Sequence, residues 1–390
     1  MIKEFEVDVV GQYYAGTVTK KHRGEFSITV NLNEELNLAV LTQASRQLGE
    51  KFPFVVGKLC PTFFSYTYKI INKPLKPIPA GKKNDQLLII FYGKNYFEVE
   101  VSHLLFDGRT LSKITRELTL LYFEILDGVE IKGIHEKFTP KSLEDSYKEY
   151  TGRMHVEVAE KSKEVNAYQP PFSPVAKTKT THFRLSASLL KHEAKKHQVT
   201  ISECLMALIF VSLKVERAHF KQDKPIISMI PIDIRRFFPS QTMRNFVGAV
   251  NITMKETDDF EVMLQQIHQD FKKINKANIY HDFAQHQQMI DKARFVPRKL
   301  IDLYMKKYQK IEAKYITIGL SNLGKIDLPV DITERLSSMN FNIALDEDSP
   351  YFFSCVSVGD VLTLSMSSKV DDAVLIKELK ENFQTFYMGK

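Results

Sequence analysis

Val99-Glu-Val-Ser-His103-Leu-Leu-Phe-Asp107-Gly108 changes its periodicity partway along. Upstream, Phe97, Val99, Val101 and His103 share one parity, and Glu98, Glu100 and Ser102 share the other. Side chains alternate faces along a strand, which puts His103 on the apolar, inward face. Downstream, Leu111, Ile114, Thr115, Leu118, Tyr122 and Ile125 recur at helical spacing. The stretch therefore predicts a strand, a corner carrying a histidine, and a helix. Gly108 falls where the chain turns between them, a place where freedom in φ is useful.

An inward imidazole at a strand end, with a carboxylate four residues on, suits a general base. Its reference pKa, about 6.5, leaves it mostly neutral at pH 7 and able to take a proton. The same pattern suits a core histidine satisfied by a backbone carbonyl, and the stretch alone leaves both readings open. Asp107 invites a Ser-His-Asp triad with Ser102. Adjacent strand residues point to opposite faces, so that reading fails.

Outward from the corner, 4–10 and 26–31 alternate and predict strands, and Asn33 suits the N-cap of a helix ended by Gly49. Residues 66–71 read as a strand, and 87–92 with 96–102 as a hairpin through Gly93-Lys-Asn95. The helix after His103 extends to about Leu126. Residues 127–178 are polar and end in Gln169-Pro-Pro-Phe-Ser-Pro174, which will not continue a helix or central strand. They predict a helix and then a linker over 166–178, dividing the chain into 1–165 and 179–390.

The second half opens with a strand at 179–185, then the capping-box pattern Thr200-Ile-Ser-Glu203 and a buried helix to about Glu216. Strands follow at 226–232 and 247–254, and helices at 260–276 and 283–308. A strand at 315–320 delivers Ser321 and Asn322 at its end. A hairpin, 351–358 and 361–367, precedes a final helix over 371–386. Hairpin and helix at 351–386 echo 87–126, with Met366 at the place of His103.

At 390 residues, 44% hydrophobic and 26% charged, the composition is that of an ordinary globular protein with room for two lobes. The net charge of +7 is compatible with coenzyme A, acidic lipid or nucleic acid, but the basic residues are scattered. With no basic run interleaved with aromatics, a nucleic-acid partner has no support. Cys60, Cys204 and Cys355 are widely spaced and form no C-x-x-C, which points to the reducing cytoplasm and away from disulfides or zinc. The N-terminus is acidic where a secretion signal would be apolar. The apolar run Cys204–Leu213 is shorter than the roughly 20 residues a bilayer requires, so no transmembrane segment is expected. His192 and His197 sit on a lysine-rich face, and His281 and His286 lack metal-ligand spacing, so no metal is expected. No glycine-rich phosphate loop is present, so ATP or NAD chemistry has no support.

Ser102-His103-Leu-Leu-Phe-Asp107-Gly108 resembles the His-His-x-x-x-Asp-Gly signature of the chloramphenicol acetyltransferase-like superfamily. That group of coenzyme A-dependent acyltransferases includes condensation domains, alcohol acetyltransferases and polyketide-associated acyltransferases. Three further stretches agree in type and order. Ala44–Gly57 looks like the first helix and the Phe-Pro … Gly approach to a strand. Pro231-Ile-Asp-Ile-Arg235, with Arg244-Asn-Phe-Val-Gly248, looks like the Pro-x-x-x-Arg … Asn-x-x-Gly block. Ser321-Asn-Leu-Gly324 looks like the Ser-Asn-x-Gly motif of the alcohol acetyltransferases. The first histidine of the signature is Ser102 here, and the Asp-Phe-Gly-Trp-Gly motif of the plant branch is absent.

The resemblance implies an α/β (α+β) two-layer sandwich, built as two lobes forming a V with the active site and a substrate tunnel between them. It implies acyl transfer from a thioester to a small alcohol or amine, with His103 as the base and no covalent acyl-enzyme. Asp107 then pairs with Arg235 and, with Gly108, supports the corner. Ser321 and Asn322 are candidate donors to the thioester oxyanion, and equally suit a turn or cap. The donor is acyl-coenzyme A, or an acyl group on the phosphopantetheine of a carrier protein as in condensation domains. The chain shows no carrier-like or adenylation segment, which favours coenzyme A. A catalytically idle binding scaffold is a further alternative, opposed by the joint presence of His103, Asp107, Gly108 and Arg235. Two lobes in one chain make a monomer sufficient.

Overall fold

The computed structural model describes residues 3–18, 23–82, 84–152, 165–257 and 259–388. The first large sheet contains, in spatial order, β12 (Leu336–Ile343), β2 (Glu25–Leu32), β7 (Tyr96–Ser102), β6 (Leu88–Tyr92) and β5 (Ile78–Pro79). The second contains β10 (Val247–Thr253), β9 (Ile227–Asp233), β11 (Ile318–Lys325), β13 (Tyr351–Val358), β14 (Val361–Ser368) and β8 (Lys179–Ser186). A small sheet joins β1 (Glu4–Glu6), β4 (Tyr66–Ile70) and β3 (Gly57–Pro61). The helices are α1 (Val9–Thr17), α2 (Leu38–Lys51), α3 (Gly108–Asp127), α4 (Ser146–Thr151), α5 (Ala187–Lys196), α6 (Ile201–His219), α7 (Phe260–Lys272), α8 (Lys276–Lys292), α9 (Arg298–Glu312), α10 (Val330–Thr333) and α11 (Ala373–Met388). The architecture is mixed α/β.

Each large sheet has its own hydrophobic core. Ile28, Val99 and Val101 meet Leu111, Ile114 and Leu118 of α3 in the first, and Phe353, Leu364 and Met366 meet Leu205, Ile209 and Leu379 in the second. Burying each such side chain stabilises by about 1.5–3 kcal/mol. The period change at His103 corresponds to the passage from β7 to α3. Asp107 caps α3 through Thr110 N at 3.0 Å, and Gly128, at φ 68°, ends the helix in the left-handed region that favours glycine. Thr200 and Glu203 form the expected capping box on α6.

Several expectations are corrected. Residues 4–10 are strand only to Glu6; Asp8 caps α1 instead, so the alternation of Phe5, Val7 and Val9 was misleading. Asn37, not Asn33, caps α2, because the Asn33 side chain donates to Glu334 O at 2.8 Å. The single helix expected over 283–308 is two, α8 and α9, separated at Pro297, which lacks an N–H and cannot continue α8. The helices α1 and α10 and the strands β5 and β12 had no counterpart among the expected elements, whereas α5 carries the lysine-rich helix face of His192 and β3 is the strand expected after Gly57. β14 runs on to Ser368, so Met366 lies inside a strand and not at a corner like that of His103.

Residues 153–164, part of the polar stretch, lie outside the described residues. Within 166–178, Ala167 N donates to Lys314 O at 2.9 Å and Tyr168 N to Pro225 O at 2.7 Å, so the linker is fastened to the second half. β12, from that half, pairs antiparallel with β2, with Phe341 opposite Ile28. The division at 166–178 therefore does not separate the sheets.

Candidate active site

The His103 corner is fixed on its backbone. His103 N donates to Gly24 O at 3.0 Å, Ser102 Oγ donates to Arg23 O at 2.6 Å, and Leu104 N donates to Ser102 Oγ at 3.2 Å. Ser102 is thus part of the turn. The imidazole packs on Tyr14 of α1, centroids 4.7 Å apart and nearly parallel, and on Phe26 of β2 at 4.2 Å. Gly24 has φ 64°, and a Cβ there would lie 2.8 Å from the Tyr14 ring. Only glycine lets the strand start so close to the aromatic wall.

Asn245, in the loop before β10, reaches the histidine from the second half of the chain. Its Nδ2 donates to His103 O at 2.9 Å and to Asp8 Oδ1 at 3.2 Å, and its Oδ1 lies 3.5 Å from His103 Nδ1. A proton on Nδ1 then points at Asn245 Oδ1, and the lone pair is left on Nε2. Asp8 is buried, takes Gly11 N at 2.8 Å, and places Oδ2 3.5 Å from Arg244 Nε. Burial pushes the Asp8 carboxyl up to about 6, against the opposing pull of Arg244.

Behind the corner, Asp107 and Arg235 form a buried ion pair of 2.7 Å. Asp107 Oδ2 also accepts Phe246 N at 3.0 Å. Arg235 Nη2 donates to the carbonyls of Thr242 at 2.9 Å and Arg244 at 2.8 Å, and Nη1 reaches Asp233 Oδ1 at 3.1 Å. Burial alone would raise the Asp107 carboxyl. Arg235 and the N–H groups of Thr110 and Phe246 outweigh it and hold the carboxyl below its ordinary value. The same arginine orders Thr242–Phe246, the loop that presents Asn245.

Gly108 does not have the positive φ that a turn would require. Its role is close approach: a Cβ there would lie 2.6 Å from Leu323 Cδ2 of β11. Ser321 and Asn322 are not at a strand end, because β11 continues to Lys325 through an irregularity after Asn322. Asn322 is exposed, donates Nδ2 to Ser202 Oγ at 2.9 Å and accepts Gly324 N at 2.7 Å. Ser321 lies opposite Ser354 of β13.

The structure therefore gathers His103, Asp107, Gly108 and Arg235 at one corner and passes β11 beside it. The motif reading had not assigned Asn245, although it lies inside the quoted Arg244–Gly248 block. Asp8 carried a usable signal, an acidic N-cap three residues before Gly11. Tyr14 and Phe26 carried none. Among the described residues no three His, Cys, Asp or Glu side chains gather as a metal site, and no single helix is long and apolar enough to cross a membrane.

No protein-family model and no curated protein matches the sequence. Solved structures do match the fold. Polyketide synthase associated protein 5 from Mycobacterium tuberculosis superposes with a TM-score of 0.69 at 14% identity, covering 98% of this chain and 97% of that one. The first condensation domain of the CDA synthetase gives 0.58 at 10% identity, over 99% and 95% of the two chains. Trichothecene 15-O-acetyltransferase from Fusarium sporotrichioides gives 0.58 at 15% identity, over 98% and 95%. Over nearly its whole length, then, the chain shares the fold of these condensation-domain and acetyltransferase structures.

Proposed function

We propose that the protein is an acyltransferase that moves an acyl group from a thioester to a hydroxyl or amine acceptor, with His103 as general base. The observation that carries this reading is the imidazole held by Asn245 on its Nδ1 side, at a corner clamped by Asp107 and Arg235. In this reading the two cores are the lobes of a V, and donor and acceptor meet in a channel between them. Acyl-coenzyme A is the donor first to be tried, and carrier-bound phosphopantetheine the second.

The acceptor is too weak an acid to ionise beforehand. Nε2 of His103 takes its proton as the acceptor oxygen or nitrogen attacks the thioester carbonyl, a contribution of about 10²–10⁴-fold. The carbonyl oxygen gathers negative charge, and one fixed donor there is worth about 10²–10³-fold. We assign that place to Ser321 in preference to Asn322, because the Asn322 amide is already engaged by Ser202. The intermediate collapses, the C–S bond breaks, and the imidazolium proton passes to the departing thiolate. Asp107 has no part in the proton transfer, since its oxygens are taken by Arg235, Thr110 and Phe246.

The test is release of free thiol from acyl-coenzyme A thioesters of increasing chain length, with and without a mixture of alcohols and amines, for wild type and His103→Ala. Acceptor-stimulated release that disappears in the variant supports the reading. Release untouched by the substitution removes His103 from the mechanism. Silence with every thioester, followed by silence with carrier-bound donors, ends the enzymatic reading.

A further inference from the structure

The helix α9 is built the wrong way round for a helix that meets only water. Met305 is buried against Gly16 of α1, as expected of a core-facing position. The opposite, solvent side carries Leu300, Leu303, Tyr304 and Ile311, at the spacing of a second apolar stripe. Leu300 is 58% exposed, Leu303 67% and Tyr304 52%. Phe295, in the turn between α8 and α9, is 72% exposed.

A third segment joins them. The β3–β4 hairpin closes through Thr62 and Ser65, with Ser65 N donating to Thr62 Oγ1 at 2.9 Å, and holds Phe63 outward at 69% exposure. Arg298 N, at the start of α9, donates to Phe63 O at 3.0 Å, so the hairpin tip and the helix form one surface. An apolar cleft of about 160 Å³ opens beside it between α8 and α9, lined by Met289, Ile290, Ala293, Val296 and Leu300 among others. An apolar cavity of about 150 Å³ is enough to hold a benzene ring.

The charge around this surface is net positive. Between Met289 and Lys314, lysines and arginines outnumber acidic residues eight to three. Asp302, one of the three, is taken by Arg298 at 3.0 Å. Lys299, Lys306, Lys307 and Lys310 are exposed along the apolar stripe. Lysine is depleted in protein–protein interfaces but common on the polar margin of helices that lie in a bilayer surface. Exposed aliphatic and aromatic side chains ringed by lysines match acyl chains beneath anionic headgroups.

We propose that the face formed by α9, the α8–α9 turn and the β3–β4 tip docks on an anionic lipid surface. The stripe enters the headgroup boundary and the lysines meet the phosphates. Docking is peripheral. The inner side of α9 packs on α1 so closely that a Cβ on Gly16 would lie 3.0 Å from Met305 Cβ. Since α1 also carries Tyr14 against His103, the docked face stands one helix away from the imidazole. The proposal stands whether or not His103 is catalytic.

The test is flotation of the full chain with phosphatidylcholine vesicles, with and without phosphatidylserine, at low and high salt. Wild type is expected to float with phosphatidylserine vesicles and to be released by salt. Leu303→Asp and Phe295→Asp are each expected to weaken binding by about tenfold or more, with unchanged circular dichroism. The double variant Lys306→Glu, Lys307→Glu is expected to lose the preference for phosphatidylserine. No flotation with either vesicle, or flotation equal in wild type and Leu303→Asp, overturns the proposal. A lipid-free dimer dispersed by Leu303→Asp also overturns it, assigning the face to a second copy of the chain.

Discussion

Asn245 donates its side-chain amide to the backbone carbonyl of His103 at 2.9 Å and turns its own carbonyl oxygen toward His103 Nδ1 at 3.5 Å. One residue thus ties the backbone of the corner and faces the Nδ1 side of the ring. Replacing Asn245 by alanine removes both contacts, while the ring stays packed on Tyr14 and Phe26. The expected loss is about 10²-fold in kcat, with KM and the melting temperature changed far less. Steady-state kinetics beside thermal melts checks this; a loss confined to KM would place Asn245 in substrate binding instead.

Asp107→Ala leaves Arg235 as a buried charge without its partner, and also strands Phe246 N. Breaking a buried pair in this way destabilises by about 3–5 kcal/mol. Urea unfolding of the purified variant should show that loss along with loss of activity. A variant as stable as wild type and merely slow would mean that the pair serves chemistry and not the corner.

The linkage of Asp8 to pH has a definite sign. Its carboxyl is pushed up to about 6 in the folded chain from 3.8, so the folded state binds the extra proton between those values. Stability from this group is complete below about pH 4 and is lost as pH rises through 6. The change is of the order of 3 kcal/mol. Asp8→Asn removes the titration, so its stability relative to wild type should rise between pH 4 and pH 6. Parallel curves for the two proteins across that range would rule the linkage out.

Gly108→Ala puts a methyl group 2.6 Å from Leu323 Cδ2. Overpacking of this kind costs about 1–3 kcal/mol. The double variant Gly108→Ala, Leu323→Ala should recover part of that loss, because the methyl then has room. Measuring all four proteins as a cycle tests the contact directly: additive effects would show that Gly108 is needed for some other reason.

Local periodicity made much of the first half of the site readable. The change from alternation to helical spacing at His103 is a statement about which faces are buried, and burial is recorded residue by residue. Thr200 with Glu203 announced α6 for a similar reason, since a helix end must satisfy its N–H groups from nearby. Where local signals competed, they failed. The alternation at Phe5, Val7 and Val9 outweighed the N-cap at Asp8, and a run of helical spacing hid the break at Pro297.

What no local signal carried is which distant groups meet. Asn245 lies 142 residues from His103, and Asp8 lies 237 from Asn245. β12 pairs with β2 although they come from opposite halves of the chain, and Leu323 closes on Gly108 from a strand of the other sheet. The motifs named the residues of the corner. Sheet pairing and core packing decided that Asn245, Asp8 and Tyr14 surround it and that Asn322 is taken up elsewhere. Hydrogen bonds and ring contacts depend on positions within a few tenths of an ångström, and only the assembled backbone sets those positions.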